Sequence, residues 1–563
     1  MHLGAMQHSG PIAAVAAHGH YLASAGYDNR VIVWDTRSRR GVARAWHDHL
    51  VNHCAFSHDG RLLVTASSDY SARVWELPEL RLRCVLTGHS DDVDMAAFSP
   101  DGTRIATCAL DRCVRIFSLE GQCLQRMPGH TGNVLSLAWS PDGNSVVTSS
   151  VDGTLRRWDA HSGAALACSV LDVRSDSVEI APDGSVYAGD DRGRLAVLRA
   201  GSLQFVQAHQ AGIKKIALAQ DARTLVSLSY DRSIAVWRLS ETALPELLER
   251  SALPADVWAR AATVLADGRI ATGTFGGSYA LFDPAANTWD LQDVAAGPAI
   301  NAVLHHGGAC YSVGDAGQVL RDGKAHARMG SLCNFLVGSA DALLTGGQLG
   351  QLFDAHTGVV LYQHHAPLNC ATTFTRDGVD CVAVGSYTGE VLVFSRDATG
   401  HWNLLQSLAV YENAVKGLSY CDGLLFSVCA STDIAWHRVS DWHLTRRVPA
   451  AHARIANACC SLGAQRFATV SRDRSLRIWD GDSVQTYPSA HPNSIKCMAV
   501  DTRRSAVLTG SYGGTLALFD LTQRRWSALT RPSSCGISSI SWDEAGERFI
   551  AASYDGELHP VAL

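Results

Sequence analysis

The sequence predicts an all-β chain of fourteen four-stranded sheets, arranged as two rings of seven. Three observations carry this. A pattern of short alternating runs and tight turns recurs about every 40 residues from one end of the chain to the other. Within the clearest copies a His, a Ser or Thr, an Asp and a Trp keep one register: the hydroxyl lies four residues before the Asp and the aromatic six after it. Fourteen copies exceed the four to eight units that close a single ring, so two sevens are the natural division. The spacing divides the chain into 1–294 and 295–563.

The stretch 127–159, MPGHTGNVLSLAWSPDGNSVVTSSVDGTLRRWD, shows how one unit is built. Leu135 to Trp139 alternates and stops at Pro141-Asp142-Gly143, a turn former. Ser145 to Ser149 is a second β-rich run. Asp152-Gly153 makes a tight link to a third, Thr154 to Trp158, and Ala164 to Cys168 supplies a fourth.

Taken in order, units 1 to 4 are clear. They offer His8, Ser24, Asp28 and Trp34; His47, Thr65, Asp69 and Trp75; His89, Thr107 and Asp111, with Phe117 for Trp; and His130, Thr148, Asp152 and Trp158. Unit 5 is eroded, with Leu198 at the Trp position. Unit 6 is regular through His209, Ser227, Asp231 and Trp237. The segment 241–251 reads as its outer strand plus a loop, because Pro245 and Pro254 oppose a helix. Unit 7 keeps Thr272 and Phe282, but Gly276-Gly277 replaces the Asp. Units 8 and 9, ending at Leu320 and Phe353, have no polar register. Units 10 and 11 end at Phe394 and Trp436. Unit 12 is regular (His452, Thr469, Asp473, Trp479), unit 13 has His491, Thr509 and Phe519, and unit 14 ends at Val561. Only three strands remain for unit 14. Residues 2–7 are therefore expected to add its fourth, which would remove an exposed sheet edge.

Composition bounds the function. Hydrophobic residues make up 47% and charged residues 18%, the profile of a soluble globular chain, and a net charge of −6 gives no general attraction to nucleic acid. No apolar run has the length of a membrane span, and the start, MHLGAMQHSG, lacks signal-peptide features. Sixteen cysteines without a C-x-x-C pair read as small buried hydrophobes in a reducing cytoplasm. Five lysines stand against 43 arginines, and alanine is abundant; this points to a GC-rich genome and a bacterial source.

The Gly129-His130 and Trp158-Asp159 signatures, about 28 residues apart, resemble those of the WD40 family. The resemblance covers the chain by spacing, and six or seven units by motif. It implies two seven-bladed β-propellers, each blade stiffened by a hydrogen-bonded chain from Asp to His to hydroxyl to Trp. The tandem layout is similar to two-propeller members such as the actin-interacting protein 1 group, in architecture only: no residue signature carries actin binding over.

Family members usually bind partners on the face made by the loops linking strands two and three. The residue before the motif Asp lies there. In this chain it is Tyr27, Tyr230, Phe275, Tyr387, Tyr512 and Tyr554, and exposed aromatics are common anchors of interfaces. Units 6, 7 and 1 are ring neighbours, so Tyr230, Phe275 and Tyr27 can form one patch, as can Tyr512 with Tyr554. Sideways packing against neighbouring loops is the bland alternative. Lys214, Lys215 and Lys496 enter nearby first strands and suit an acidic partner, or form an ordinary solvated edge.

Other constellations are weaker. Asp91-Asp92 is a carboxylate pair, but a turn between blades favours Asp. His47, His49 and His53 form H-x-H-x3-H, with His47 already needed structurally. His305-His306 and His364-His365 have no Cys or carboxylate at metal-site spacing. No Gly-x-Ser-x-Gly elbow, Walker loop or dinucleotide loop occurs, and no cofactor is called for. The expected role is an interaction scaffold or adaptor, cytoplasmic and monomeric on its own, with a protein or peptide partner and no membrane or nucleic acid. The alternative is a ligand sensor or enzyme with its site in a channel or between the rings.

Overall fold

In a computed structural model, which describes residues 6–562, the chain is all-β and forms two compact units, 1–297 and 298–563. The first unit contains seven four-stranded antiparallel sheets. The second contains six, followed by one of three strands. Strand order within each sheet follows the sequence, so each blade is one continuous segment: a meander of hairpins whose turns carry the residues that tolerate positive φ, such as Gly153 at φ 72°. In the fourth blade the strands are Val134–Trp139, Ser145–Ser150, Thr154–Asp159 and Ala165–Val170. Glu246–Ala252 is the outer strand of blade 6.

A single blade has no core of its own. Its apolar faces are buried against the next blade: Val114, Ile116 and Met127 of blade 3 pack with Leu137, Val146 and Trp158 of blade 4. The first ring closes the same way, Ile12, Val15 and Trp34 of blade 1 meeting Ala261, Leu281 and Tyr279 of blade 7. The His8 and Gly277 backbones add a pair of hydrogen bonds across that seam. Residues 2–5 lie outside the described residues. Met6 packs into the seam of the first unit and the Gln7 carbonyl accepts from Arg30. Among the described residues blade 14 keeps three strands, and its seam with blade 8 is made by the Ser539 and Ser541 hydroxyls accepting from the Val303 and His305 amides.

The expected polar chains are present. In blade 4, His130 Nδ1 lies 2.8 Å from Asp152 and Nε2 2.8 Å from the Thr148 hydroxyl, to which Trp158 Nε1 donates at 2.9 Å. Blades 1, 2, 6 and 12 repeat this arrangement, and blade 3 does so without the Trp donor. Burial pushes the Asp69 carboxyl up, but the hydrogen bond and charge of His47 outweigh it and hold the group well below its ordinary range. Where the register erodes, the chain breaks visibly. The Thr272 hydroxyl of blade 7 is buried without a hydrogen-bond partner among the described residues, and in blade 11 the Tyr411 hydroxyl takes the place of His against Ser427, at 2.8 Å.

One further regularity shapes the channels. In every blade the register between strands one and two slips just after the first residue of strand one, a β-bulge. In the first unit the extra residue is Ala13, Asn52, Asp94, Leu135, Asp176 or Lys214, and blade 7 has a wider slip that contains Trp258 and Arg260.

Candidate functional site

The bulged residues of the first unit line a cavity of about 90 Å³. Its charged walls are Arg174, Lys214, Lys215 and Arg260 against Asp94 and Asp176, and Asp191 pairs with Lys214 and Arg174 from outside the wall. Lys214 Nζ lies 2.9 Å from Asp176 and also pairs with Asp191; Arg174 Nε lies 2.5 Å from Asp176. Arg260 is 3.8 Å from Asp94. Burial raises the Asp94 carboxyl to about 6 despite Arg260. His53 turns its Nδ1 to the Ala96 carbonyl at 3.1 Å, and burial lowers it to about 3.

Aromatic rings stand beside these cations. Tyr27 meets Trp258 edge-on, centroids 5.2 Å apart, and Trp258 lies 6.0 Å from Phe275. The Arg260 guanidinium sits 5.6 Å from the Trp258 ring and 5.9 Å from Tyr27, and Lys214 Nζ is 4.8 Å over Tyr230. All are distances at which a cation is attracted to a ring face. The structure thus brings Tyr27 and Phe275 together through Trp258, and Tyr230 joins through the cation cluster. Two expectations need correcting. Phe275 is only 3% exposed, because it is packed under the Trp258 ring, so it supports the patch from beneath instead of presenting a free face. Lys214 does not belong to a solvated edge: its side chain is 8% exposed, because the bulge turns it inward onto two carboxylates.

In the second unit Tyr387 stands under Lys416 at 5.2 Å, and Tyr512 lies between Arg472 at 5.5 Å and Lys496 at 5.9 Å. Tyr554 is half-buried against Gly536, beside Tyr512; burial first, then its neighbours Tyr512 and Asp315, push its hydroxyl well above the ordinary tyrosine value. Asp315 occupies the corresponding loop position of blade 8, and burial lifts its carboxyl to about 7.

Other residues singled out above are placed plainly. Asp92 accepts from the Ser68 hydroxyl at 3.0 Å, and both Asp91 and Asp92 are buried in the blade 2–3 turn. His47 serves its blade and His53 a backbone carbonyl, so H-x-H-x3-H does not converge on one point. The pair His364-His365 does acquire a carboxylate: Glu390 approaches from a strand 26 positions on, a neighbour that spacing along the chain does not reveal. No disulfide is seen among the described residues. Among the described residues no helix is long and apolar enough to cross a membrane.

Sequence reasoning missed Trp258, Arg260, Arg174, Asp94 and Asp176. Their signal was a polar or bulky residue second in an otherwise apolar first strand, as in Val93-Asp94 and Val257-Trp258. It is readable only once the bulge is known.

Comparison with known proteins follows the fold. The WD40 family, WD domain, G-beta repeat, matches residues 3–35, 43–76, 80–118, 121–159 and 201–238, all in the first unit. WD repeat-containing protein 55 of Pongo abelii is 26% identical over 185 residues, 32% of this chain and 48% of that protein. Target of rapamycin complex subunit wat1 of Schizosaccharomyces pombe is 26% identical over 250 residues, 41% of this chain and 78% of that protein. Dynein axonemal assembly factor 10 of Chlamydomonas reinhardtii is 27% identical over 129 residues, 19% of this chain and 36% of that protein. The match thus spans about half the length of the first of these. These relatives are eukaryotic, so the bacterial source read from composition draws no support from them. With the repeats matched, the blades and their polar chains in place, and WD-repeat proteins among its relatives, the first unit carries WD40 repeats and the chain as a whole is built of propeller blades.

Proposed function

We propose that this protein is an interaction scaffold whose first propeller docks an acidic peptide segment at its channel mouth. The observation that carries the reading is the Tyr27–Trp258 pair, backed by buried Phe275, with Arg260 against it. Rigid rings offer contact area at little entropic cost, and the cavity beside them is lined by four cations and two carboxylates. An Asp or Glu side chain, or a C-terminal carboxylate, meets both features at once. A relative that is itself a complex subunit supports the general role. We place the scaffold in the cytoplasm, where its many cysteine thiols stay reduced.

Crosslinking capture from the native host tests this, with wild type beside a Tyr27→Ala/Trp258→Ala variant. The reading expects a partner with an acidic segment on wild type, lost from a variant that melts normally. Identical capture by both would remove this face from consideration. The second reading, a small-anion sensor, rests on the cation-rich lining of the cavity; thermal stabilisation by a small dicarboxylate or phosphate, abolished in Lys215→Ala, would favour it.

A further inference from the structure

We propose that blade 10 carries a zinc site formed by His364, His365 and Glu390. The argument begins with what this blade has lost. In blade 4 the motif His binds a hydroxyl at Thr148, ten residues before Trp158. In blade 10 the position ten before Phe394 is Val384, and its strand pairings match those of Thr148. Hydroxyl and indole are therefore both gone, and His364 has no inner partner to serve.

Its ring is turned accordingly. In the regular blades Nδ1 faces the Asp and Nε2 points inward. In blade 10 Nδ1 faces the Ala366 backbone, 3.0 Å from its carbonyl and 3.2 Å from its amide, and Nε2 lies 3.0 Å from Glu390 Oε2. Without metal, the Ala366 amide can donate to Nδ1 while an Nε2 proton bonds Glu390; with zinc, the proton moves to Nδ1 and is donated to the Ala366 carbonyl, which frees the Nε2 lone pair as zinc-binding histidines commonly do. Glu390 is steadied by the Thr388 hydroxyl at 3.0 Å, which in turn contacts Ser386.

A rebuilt polar chain would need one histidine. This blade has two. The residue after the motif His is Ser9, Asp48, Ser90, Thr131, Gln210, Ala453 or Pro492 in other blades with a motif His; here it is His365. The His365 ring lies against His364 with centroids 4.1 Å apart, and its Nε2 is 3.9 Å from the same carboxylate oxygen. Ligand atoms of all three residues lie within 4.8 Å of one another, the only such group among the described residues. Two ligands of a tetrahedral zinc at ordinary bond lengths stand about 3.3 Å apart, so His364 and Glu390 are nearly placed. His365 is 47% exposed and free to swing inward, while the solvent side supplies water as a fourth ligand. Two imidazoles and a carboxylate suit Zn²⁺ better than the harder Mg²⁺ or Ca²⁺.

The test uses the full chain without a purification tag, stripped with a chelator and titrated with Zn²⁺ by calorimetry, with Co²⁺ as a visible-absorption reporter. One zinc per chain is expected, together with a Co²⁺ band. His365→Ala and Glu390→Gln should each weaken binding by more than the ~10–100-fold that loss of an outer partner costs. His326→Ala breaks the other close imidazole pair, His326–His356 at 3.0 Å, and should change nothing. Absence of zinc binding in wild type, or binding equal in wild type and both ligand variants, overturns the proposal.

Discussion

Both propellers use the same bulged backbone position, and they fill it differently. In the first unit it carries Asp94, Asp176 and Lys214, with Trp258 and Arg260 in the wider slip. In the second it carries Asn301, Asn334, Asn369 and Asn457, with Lys416, Lys496 and Ser538. Each of the four asparagines donates to the first carbonyl of the next blade's first strand: Asn301 to Cys333 at 3.1 Å, Asn334 to Leu368 at 2.7 Å, Asn369 to Val415 at 2.6 Å and Asn457 to Ile495 at 2.6 Å. The Ser538 hydroxyl does the same to Ile300 across the closing seam. In the first unit Asn52 makes such a bond to Val93, at 3.0 Å. An amide satisfied by a neighbouring backbone stitches blades together and has little left for a ligand. Paired charges are more costly to bury, and they leave a polarised cavity. The second ring thus uses the position for cohesion, and the first fills it with paired charges around a cavity.

The largest expected effect tests the first ring. Lys214→Met leaves Asp176 and Asp191 facing only Arg174, and should cost about 2–3 kcal/mol, less than breaking an isolated buried pair. Urea unfolding followed by hydrogen exchange would place the loss in blades 5 and 6; an unchanged midpoint would mean that the charges are solvated and the contrast between the rings is false. Next comes the amide belt. Asn369→Ala or Asn457→Ala removes one hydrogen bond to a buried carbonyl and should cost about 1–2 kcal/mol, with faster exchange confined to the second unit.

A pH measurement sharpens the comparison further. Asp315 is raised to about 7 by burial, so the folded chain holds a proton that the unfolded chain releases near 4. Its contribution to stability is therefore present below about pH 4 and is lost as pH rises to about 7. Asp315→Asn should remove that slope, its advantage over wild type growing from pH 4 to pH 7. The motif carboxylates Asp69 and Asp473 act the other way and outside this window, since their folded values lie well below the ordinary one and they lose stability only as pH falls through the acid range. His491, lowered to about 4 by burial, shares the window with opposite sign, so the variant must be read as a difference from wild type. The smallest effect is that of Lys496→Met. It holds the bulge position that Lys214 holds in the first ring, but it stands as a cation 5.9 Å over Tyr512, worth about 0.5–1 kcal/mol.

Much of the architecture was legible in the chain. The four-and-six register of Thr148, Asp152 and Trp158 fixed where strands two and three lie, because buried polar groups must be partnered and only one strand register partners them. Blades without the register, such as those ending at Leu320 and Phe353, were still located by spacing, since each must fill the gap left by its neighbours. The candidate site was less legible. Tyr27 and Tyr230 could be placed on one face from their offset to the Asp. Trp258 and Arg260 could not, because a slip in strand pairing leaves no mark on hydrophobic alternation.

Sequence by itself determined the number of blades, their strand order, the polar chain in each regular blade and the burial of half of the sixteen cysteines, while Cys123 and Cys168 are exposed. These follow from local periodicity and from contacts within some 30 residues. Only the tertiary structure decided what surrounds each channel. Arg260 reaches Asp94 from blade 7 to blade 3, Lys214 reaches Asp176 from blade 6 to blade 5, and Glu390 reaches His364 across a strand pair. Closing a ring brings together side chains from distant repeats, and the repeat pattern, identical in kind from blade to blade, carries no information about which of them will meet.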